Sequence, residues 1–324
     1  MKLLRRQFLH LAAGAAVLPA VSRFANAQTY PTRPVRIIVG FPAGQSADIT
    51  ARLIGQWLSE RLGQPFIVEN RPGAGTNIAT EAVTHATPDG YTLLCAGAPV
   101  VINAALYHGL KFNFIQDIAP IASIVRVPFV MVVNPSLPAK TVPEFIAYAK
   151  ANPGKLSMAS SGIGTLNHMA GELFKIMTGV QMIHVPYKGT VPAVTDLIGG
   201  QVQVMFADVS SIEYVKAGKL RALAVTTATR LNALPNVPAV SESVPGFEVS
   251  GFLGIAAPKK TPADIVAKLN NEINAALTDP ALNTRLGTMG YTVFAGSPVG
   301  FSKFIADETD KWGKVIRAAN IKPA

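Results

Sequence analysis

The sequence predicts an α/β protein of two domains, on three observations. Short apolar runs of strand length alternate with segments whose apolar residues recur at helical spacing, as in a parallel sheet covered by helices. Two of the strand-to-helix junctions are glycine loops, Gly40 to Asp48 and Ser160 to Thr165, one in each half of the chain. The chain of 324 residues is long enough to build a substantial core in each of two domains.

The elements follow in order. Lys2, Arg5 and Arg6 precede an apolar run from Phe8 to Val21, and Ala25-Asn26-Ala27 offers an A-x-A cleavage site, so residues 1–27 are expected to be an export signal. Arg5-Arg6-Gln7-Phe8-Leu9 also resembles a twin-arginine signal, which leaves Sec and twin-arginine export both open. Removing the segment lowers the formal net charge from +10 to +6. The first strand is expected at Val35 to Val39, followed by a helix from Ile49 to Leu62 that Gly63 ends. A strand at Phe66 to Glu69, a glycine turn, a helix at Asn77 to Thr84 and a strand at Tyr91 to Ala96 complete this unit.

Val125 to Val133 then carries the chain into the second domain, where a helix is expected at Val142 to Ala151. Lys155 to Asp208 spells a βαβαβ unit: strand Leu156 to Ser160, helix Thr165 to Thr178, strand Gln181 to Val185, helix Val191 to Ile198, strand Val202 to Ala207. Leu166, Met169, Ala170, Leu173, Phe174 and Met177 form the apolar face of its first helix. After a strand at Ala222 to Thr226 and a polar connection, Phe252 to Ala256 returns the chain to the first domain. Helices at Pro262 to Leu277, Pro280 to Met289 and Pro298 to Ala319 finish it, with proline at or near each start. The expected division is 28–125 plus 250–324 for domain 1 and 126–249 for domain 2.

Composition narrows the function. The basic excess is spread without a run or interleaved aromatics, which suits mild attraction for anions and argues against nucleic acid. Cys95 is the single cysteine, which excludes an internal disulfide and a cysteine-rich metal site; its apolar strand makes it a buried, inert thiol. His85, His108 and His184 lack partners at metal-ligand spacing, so no metal is expected. Ile118 to Val133 is the most apolar stretch, but Pro120, Arg126 and Pro128 interrupt it, so no membrane span is expected.

Strand-to-helix loops of parallel sheets gather at one edge, where ligands bind. Gly162 and Gly164 let the backbone approach a ligand, Thr165 can cap its helix, and free N–H groups of the first turn favour an anion. Gly73-Ala74-Gly75 and Gly162-Ile163-Gly164 imitate dinucleotide fingerprints but lack the third glycine, so no nicotinamide cofactor is expected. Gly44-Gln45-Ser46-Ala47-Asp48 matches G-x-S-x-G except at its last position, which keeps a serine hydrolase using Ser46 as the alternative. His168 either faces the cleft or is a packed, hydrogen-bonded histidine. Lys188, in Tyr187-Lys188-Gly189-Thr190, is either a charge partner of the ligand or a solvated lysine. Asp208, at a strand end, suits a ligand hydroxyl or amino group, or a cross-cleft latch.

Ile37 to Asp48 (IIVGFPAGQSAD), Glu69 to Thr76 (ENRPGAGT), Pro88 to Leu94 (PDGYTLL), Ser160 to Phe174 (SSGIGTLNHMAGELF) and His184 to Gly200 (HVPYKGTVPAVTDLIGG) together resemble the periplasmic solute-binding proteins of tripartite tricarboxylate transporters, the Bug or TctC-like receptors. The resemblance runs from the signal to the C-terminus. It implies a two-domain, type II periplasmic-binding-protein-like fold that closes about its crossings around a small carboxylate, without catalysis or cofactor. It further implies membrane transporter subunits as partners, a periplasmic location and action as a monomer. The binding loops it implies fall on Phe41, Ala43, Gly44, Gln45, Ser46 and Asp48; on Gly97; on Ser160, Ser161, Gly162, Gly164, Thr165 and His168; and on Tyr187, Lys188, Gly189, Thr190 and Asp208. Gln45 and Thr76 stand where the family usually has glycine, and Gln45 puts an amide into the first loop.

Overall fold

A computed structural model describes residues 30–107 and 109–323. The expected export signal and His108 lie outside them. In chain order the first elements are β1 (Val35–Val39), α1 (Ser46–Leu62), β2 (Phe66–Asn70), α2 (Asn77–Thr84), β3 (Thr92–Gly97), α3 (Ala98–Leu106) and α4 (Phe114–Asp117). Next come β4 (Ile118–Val133), α5 (Val142–Ala151), β5 (Leu156–Ser160), α6 (Leu166–Thr178), β6 (Met182–Pro186), α7 (Thr190–Ile198) and β7 (Val204–Asp208). The chain ends with α8 (Ile212–Lys216), β8 (Arg221–Val225), β9 (Ser250–Pro258), α9 (Ala263–Thr278), α10 (Pro280–Thr288), β10 (Thr292–Val293) and α11 (Pro298–Ala318).

The strands form one path, β2-β1-β3-β9-β4-β7-β5-β6, with β8 and β10 also paired to β4. β4 organises it. Its first part, Ile118 to Pro128, runs antiparallel to β9, and its last part, Phe129 to Val133, lies between β7 and β8. The apolar run that proline seemed to break is therefore a strand sixteen residues long. Register shifts between Pro120 and Ala122 and between Ser123 and Val125 absorb the irregularity, as bulges do where a residue cannot join the ladder. The strand starts at Ile118 instead of Val125 for this reason. Its side chains alternate between two cores: Phe129, Met131 and Val133 in the larger, Val130 and Val132 in the smaller. Among the described residues no helix is long and apolar enough to cross a membrane.

Strand directions fix where the loops point. β1, β2 and β3 are parallel, as are β5, β6 and β7. Gly97 at the end of β3 pairs with Leu253, and Leu253 pairs with Val125; Asp208 at the end of β7 pairs with Phe129. The C-terminal edges of the two parallel groups thus reach levels four residues apart along β4 from opposite directions, the first across β9 and the second directly, about 13 Å at strand rise. Two sets of strand-to-helix loops face each other there.

α6 is buried beyond a single face, from Leu166 through Glu172 and at Phe174, because the sheet lies under it and α11 packs against both it and α3. Met177, expected in its apolar face, is 37% exposed. Phe174 meets Phe145, Phe206 and Phe247 edge-on or tilted, at centroid distances of 5.6 to 6.0 Å. On the other half, Gly254 of β9 lies against Phe301 and, were a Cβ present, that atom would sit 2.7 Å from the Ala122 carbonyl oxygen.

Candidate functional site

The helices that begin at the facing edges start without help from side chains. Gln45 before α1, Gly97 before α3, Thr165 before α6 and Gly189 before α7 provide no side-chain cap. By contrast, Asn113, Thr141, Asp279 and Ser297 each accept N–H bonds in the first turn of α4, α5, α10 and α11; α9, like α2, begins uncapped. Four N-termini without side-chain caps at the facing edges make those edges positive and rich in first-turn donors. The expectation that Thr165 caps α6 is corrected here. Its hydroxyl turns back and donates to the Gly162 carbonyl at 2.7 Å, which rivets the loop and leaves the helix end open.

The first loop is held from below. Asp48 is 3% exposed and accepts from the Gly44 N–H at 2.8 Å and the Asn70 amide at 2.9 Å, while Arg52 lies 2.9 Å away. Burial alone would raise its pKa, but the bonds from Arg52, Gly44 and Asn70 outweigh that and hold the carboxyl below the usual range. Asn70 also donates to the Phe41 carbonyl at 2.9 Å. Asp48 therefore works as a clamp, with both oxygens engaged inside the protein. Ala43, Gly44, Gln45 and Ser46 are the exposed part of the loop, and Phe41 is half-buried. Gly44 needs its φ of +83°, a conformation costly for other residues. Gly97 is buried, packed against the Phe252 carbonyl of β9.

The second loop is held from behind. Ser161 donates to Asn167 at 2.5 Å, and Asn167 donates to the Phe206 carbonyl at 2.7 Å. Ser160 is fully buried with its hydroxyl 2.7 Å from His184. His168 is the packed histidine of the two alternatives: it is buried, and its Nδ1 accepts from the Gly164 N–H at 3.2 Å. Gly164 closes on the other half of the molecule, where a Cβ would come 2.6 Å from Leu106 Cδ2 of α3. Gly189 donates to the Ser161 carbonyl at 3.2 Å, joining the two loops of this half. The Tyr187 hydroxyl donates to Asp196 at 2.7 Å, and partial burial together with that carboxylate pushes it up to about 12. Lys188 is exposed, Thr190 opens α7, and Asp208 Oδ1 accepts from Ser210.

Sequence reasoning misses Tyr291. The β10 ladder places Thr292 opposite Arg126, which sets Tyr291 at the level where the two edges meet. Its side chain is buried, with its hydroxyl near Ser46 of the first loop and Asp208 of the second half. Burial raises its pKa, the nearby Ser46 hydroxyl opposes this, and the Asp208 charge adds to the rise. Gly290, at φ +77°, lets this turn touch Val209. No local signal marks Tyr291, because its position comes from a two-residue strand.

These contacts bear on Ser46 as a nucleophile. Its neighbour is a tyrosine, while His85, His168 and His184 take other partners. Cys95 is buried and pushed up to about 12 by burial first and by Asp48, as an inert thiol should be.

The profile of the tripartite tricarboxylate transporter family receptor matches residues 50–321. The chain belongs to this family. It is 38% identical over 304 residues to the protein BugT of Bordetella pertussis, covering 92% of each chain. Among solved structures it resembles R. palustris Rpa4515 with adipate, at a TM-score of 0.81 and 36% identity, covering 91% of this chain and 100% of that one. It also resembles MatC from Rhodopseudomonas palustris with bound malate, at a TM-score of 0.76 and 32% identity, covering 89% and 100%. The two-domain solute-binding fold expected from the sequence is the fold of these receptors.

Proposed function

We propose that this family member is a periplasmic receptor that captures a small organic carboxylate between its two halves and presents it to a tripartite tricarboxylate-type transporter. The observation that carries this is the placement of four helix N-termini without side-chain caps at the two facing edges of the sheet. Such donors suit a carboxylate and need no buried cation. The adipate and malate bound by the two structural relatives support the same ligand class.

In this proposal the exposed part of the first loop, Ala43 to Ser46, and the second loop, Ser161 to Thr165, grip the ligand. Lys188, Gly189 and Thr190 border it, and Asp208 with Tyr291 meets its polar substituents. Phe41, Asp48, Gly97, Ser160, His168 and Tyr187 keep these groups in place. Domain 1 comprises 28–125 and 250–324, domain 2 comprises 126–249, and closure bends the crossings near Val125 and Ser250. Residues 1–27 direct export, and the mature chain acts as a monomer without a cofactor.

The test is a thermal-shift screen of residues 28–324, unfolded and refolded to remove bound ligand, against small carboxylates. A ligand at 100 times its Kd adds about 2.7 kcal/mol, worth several degrees here. A shift with one acid and no ester hydrolysis is expected. No shift with any acid, together with esterase activity lost in Ser46→Ala, would overturn the proposal.

A further inference from the structure

Behind the second loop lies a cluster of titratable groups of which ligand capture as described uses only His168. His168 of α6 and His184 of β6 stack face to face, with ring centroids 3.7 Å apart and planes 8° from parallel. Each ring reaches a different glycine of the loop. His184 Nε2 is 2.7 Å from the Ser160 hydroxyl, which accepts from the Gly162 N–H at 3.2 Å and lies 3.1 Å from the Gly162 carbonyl. His168 Nδ1 accepts directly from the Gly164 N–H.

These bonds set the protonation of the pair. A nitrogen that accepts from an N–H carries no proton, so His168 is the Nε2–H tautomer, with that nitrogen 3.7 Å from Glu172 Oε1. Glu172 is fixed in turn by Lys175 at 2.9 Å. A charge on one of two rings in van der Waals contact disfavours a charge on the other. Burial is the largest cause that keeps His184 neutral, with a pKa near 4, against the opposing pull of Glu172.

We propose that His168 and His184 are positioning residues for ligand binding: stacked as neutral rings, they hold the Gly162 and Gly164 peptide groups so that the open end of α6 faces the ligand. The ligand consequence rests on the carboxylate assignment above; the effect on the loop does not.

Nuclear magnetic resonance of the ligand-free protein tests the loop. His168 is expected as the Nε2–H tautomer, and His184→Ala is expected to shift the Gly162 and Gly164 amide resonances. Calorimetry with adipate and malate tests the consequence. For whichever acid the parent binds, His184→Ala and Ser160→Ala are each expected to weaken affinity about tenfold, or about 1.4 kcal/mol. The double variant should fall within about twofold of the weaker single, since both act through one chain of bonds. His184→Phe, which keeps a stacked ring without the bond, should bind as weakly as His184→Ala, whereas His184→Gln should recover part of the loss. An Nδ1–H tautomer at His168, glycine amides unmoved in folded His184→Gln and His184→Ala, or fully additive losses would overturn the proposal. If the parent binds neither acid while the amides move as stated, the carboxylate assignment falls and the positioning role stands.

Discussion

Gly164→Ala perturbs the point where the second loop touches α3. The residue sits at φ +75°, a left-handed conformation that costs a residue with a Cβ about 1–2 kcal/mol. The added methyl would also come 2.6 Å from Leu106 Cδ2, the far end of a flexible side chain that can yield for roughly 0.5–1 kcal/mol. The expected destabilisation is about 2 kcal/mol, or roughly 3 °C in Tm for a chain of this size. Ligand affinity should fall about tenfold, because relief of either strain moves the N–H groups at the start of α6. Thermal denaturation and calorimetry of Gly164→Ala, alone and combined with Leu106→Ala, separate the contributions. Removing the Leu106 side chain should cancel the clash and leave the backbone cost. An unchanged Tm and affinity in Gly164→Ala would refute the argument, as would complete rescue by Leu106→Ala.

Other outcomes follow from the same contacts. Tyr291→Phe keeps the packing but removes the hydroxyl that lies near Ser46 and Asp208, so affinity for an acid bearing a hydroxyl should drop about fivefold while stability changes by no more than about 1 kcal/mol; equal affinity by calorimetry would place Tyr291 outside the site. Asp48→Asn weakens the bonds to Gly44, Asn70 and Arg52 and should cost about 2–3 kcal/mol in urea unfolding. A variant as stable as its parent would deny Asp48 the clamping role. His184, held near 4 in the fold against 6.5 when free, binds more protons unfolded than folded between those values. Its contribution to stability is therefore complete above pH 6.5 and lost as pH falls towards 4. The full difference corresponds to about 3 kcal/mol, and partial exposure reduces this to about 1–2 kcal/mol. Urea unfolding from pH 7.5 to 4.5 should show that slope in the parent and a flatter one in His184→Gln; equal slopes would contradict the assignment.

Much of the fold is written locally. β1, α2, α5 and β5 have the bounds that their apolar periodicity and turn residues predict, and most other elements differ by one or two residues. α1 starts three residues early, at Ser46 instead of Ile49, because Asp48 reaches back to the Gly44 N–H and stabilises a polar first turn that carries no apolar signal. α3 escapes detection for the opposite reason. APVVINAAL is apolar almost throughout, since α11 and neighbouring elements cover it, and so it lacks a polar face to mark its period. β10 has no signature of its own and exists by pairing with Arg126 and Val125.

The candidate site divides along the same line. Its glycine loops are visible because positive φ and open helix ends demand particular residues. What holds those loops is not. The His168–His184 stack joins residues sixteen positions apart through the sheet, and the nearness of Tyr291 to Ser46 brings the C-terminal region to the first glycine loop. Asp48 and Tyr187 sit within the predicted loops yet direct their oxygens to Asn70, Arg52 and Asp196, which only the packed chain reveals.

Capture of a carboxylate by the open helix ends is tested most directly by calorimetry of residues 28–324, unfolded and refolded to remove bound ligand, titrated with adipate, malate and related small acids. The account predicts one-to-one binding of at least one acid, weakened about tenfold by Gly164→Ala. Absence of binding across the acids, in a protein shown to be folded by its cooperative thermal transition, would contradict it.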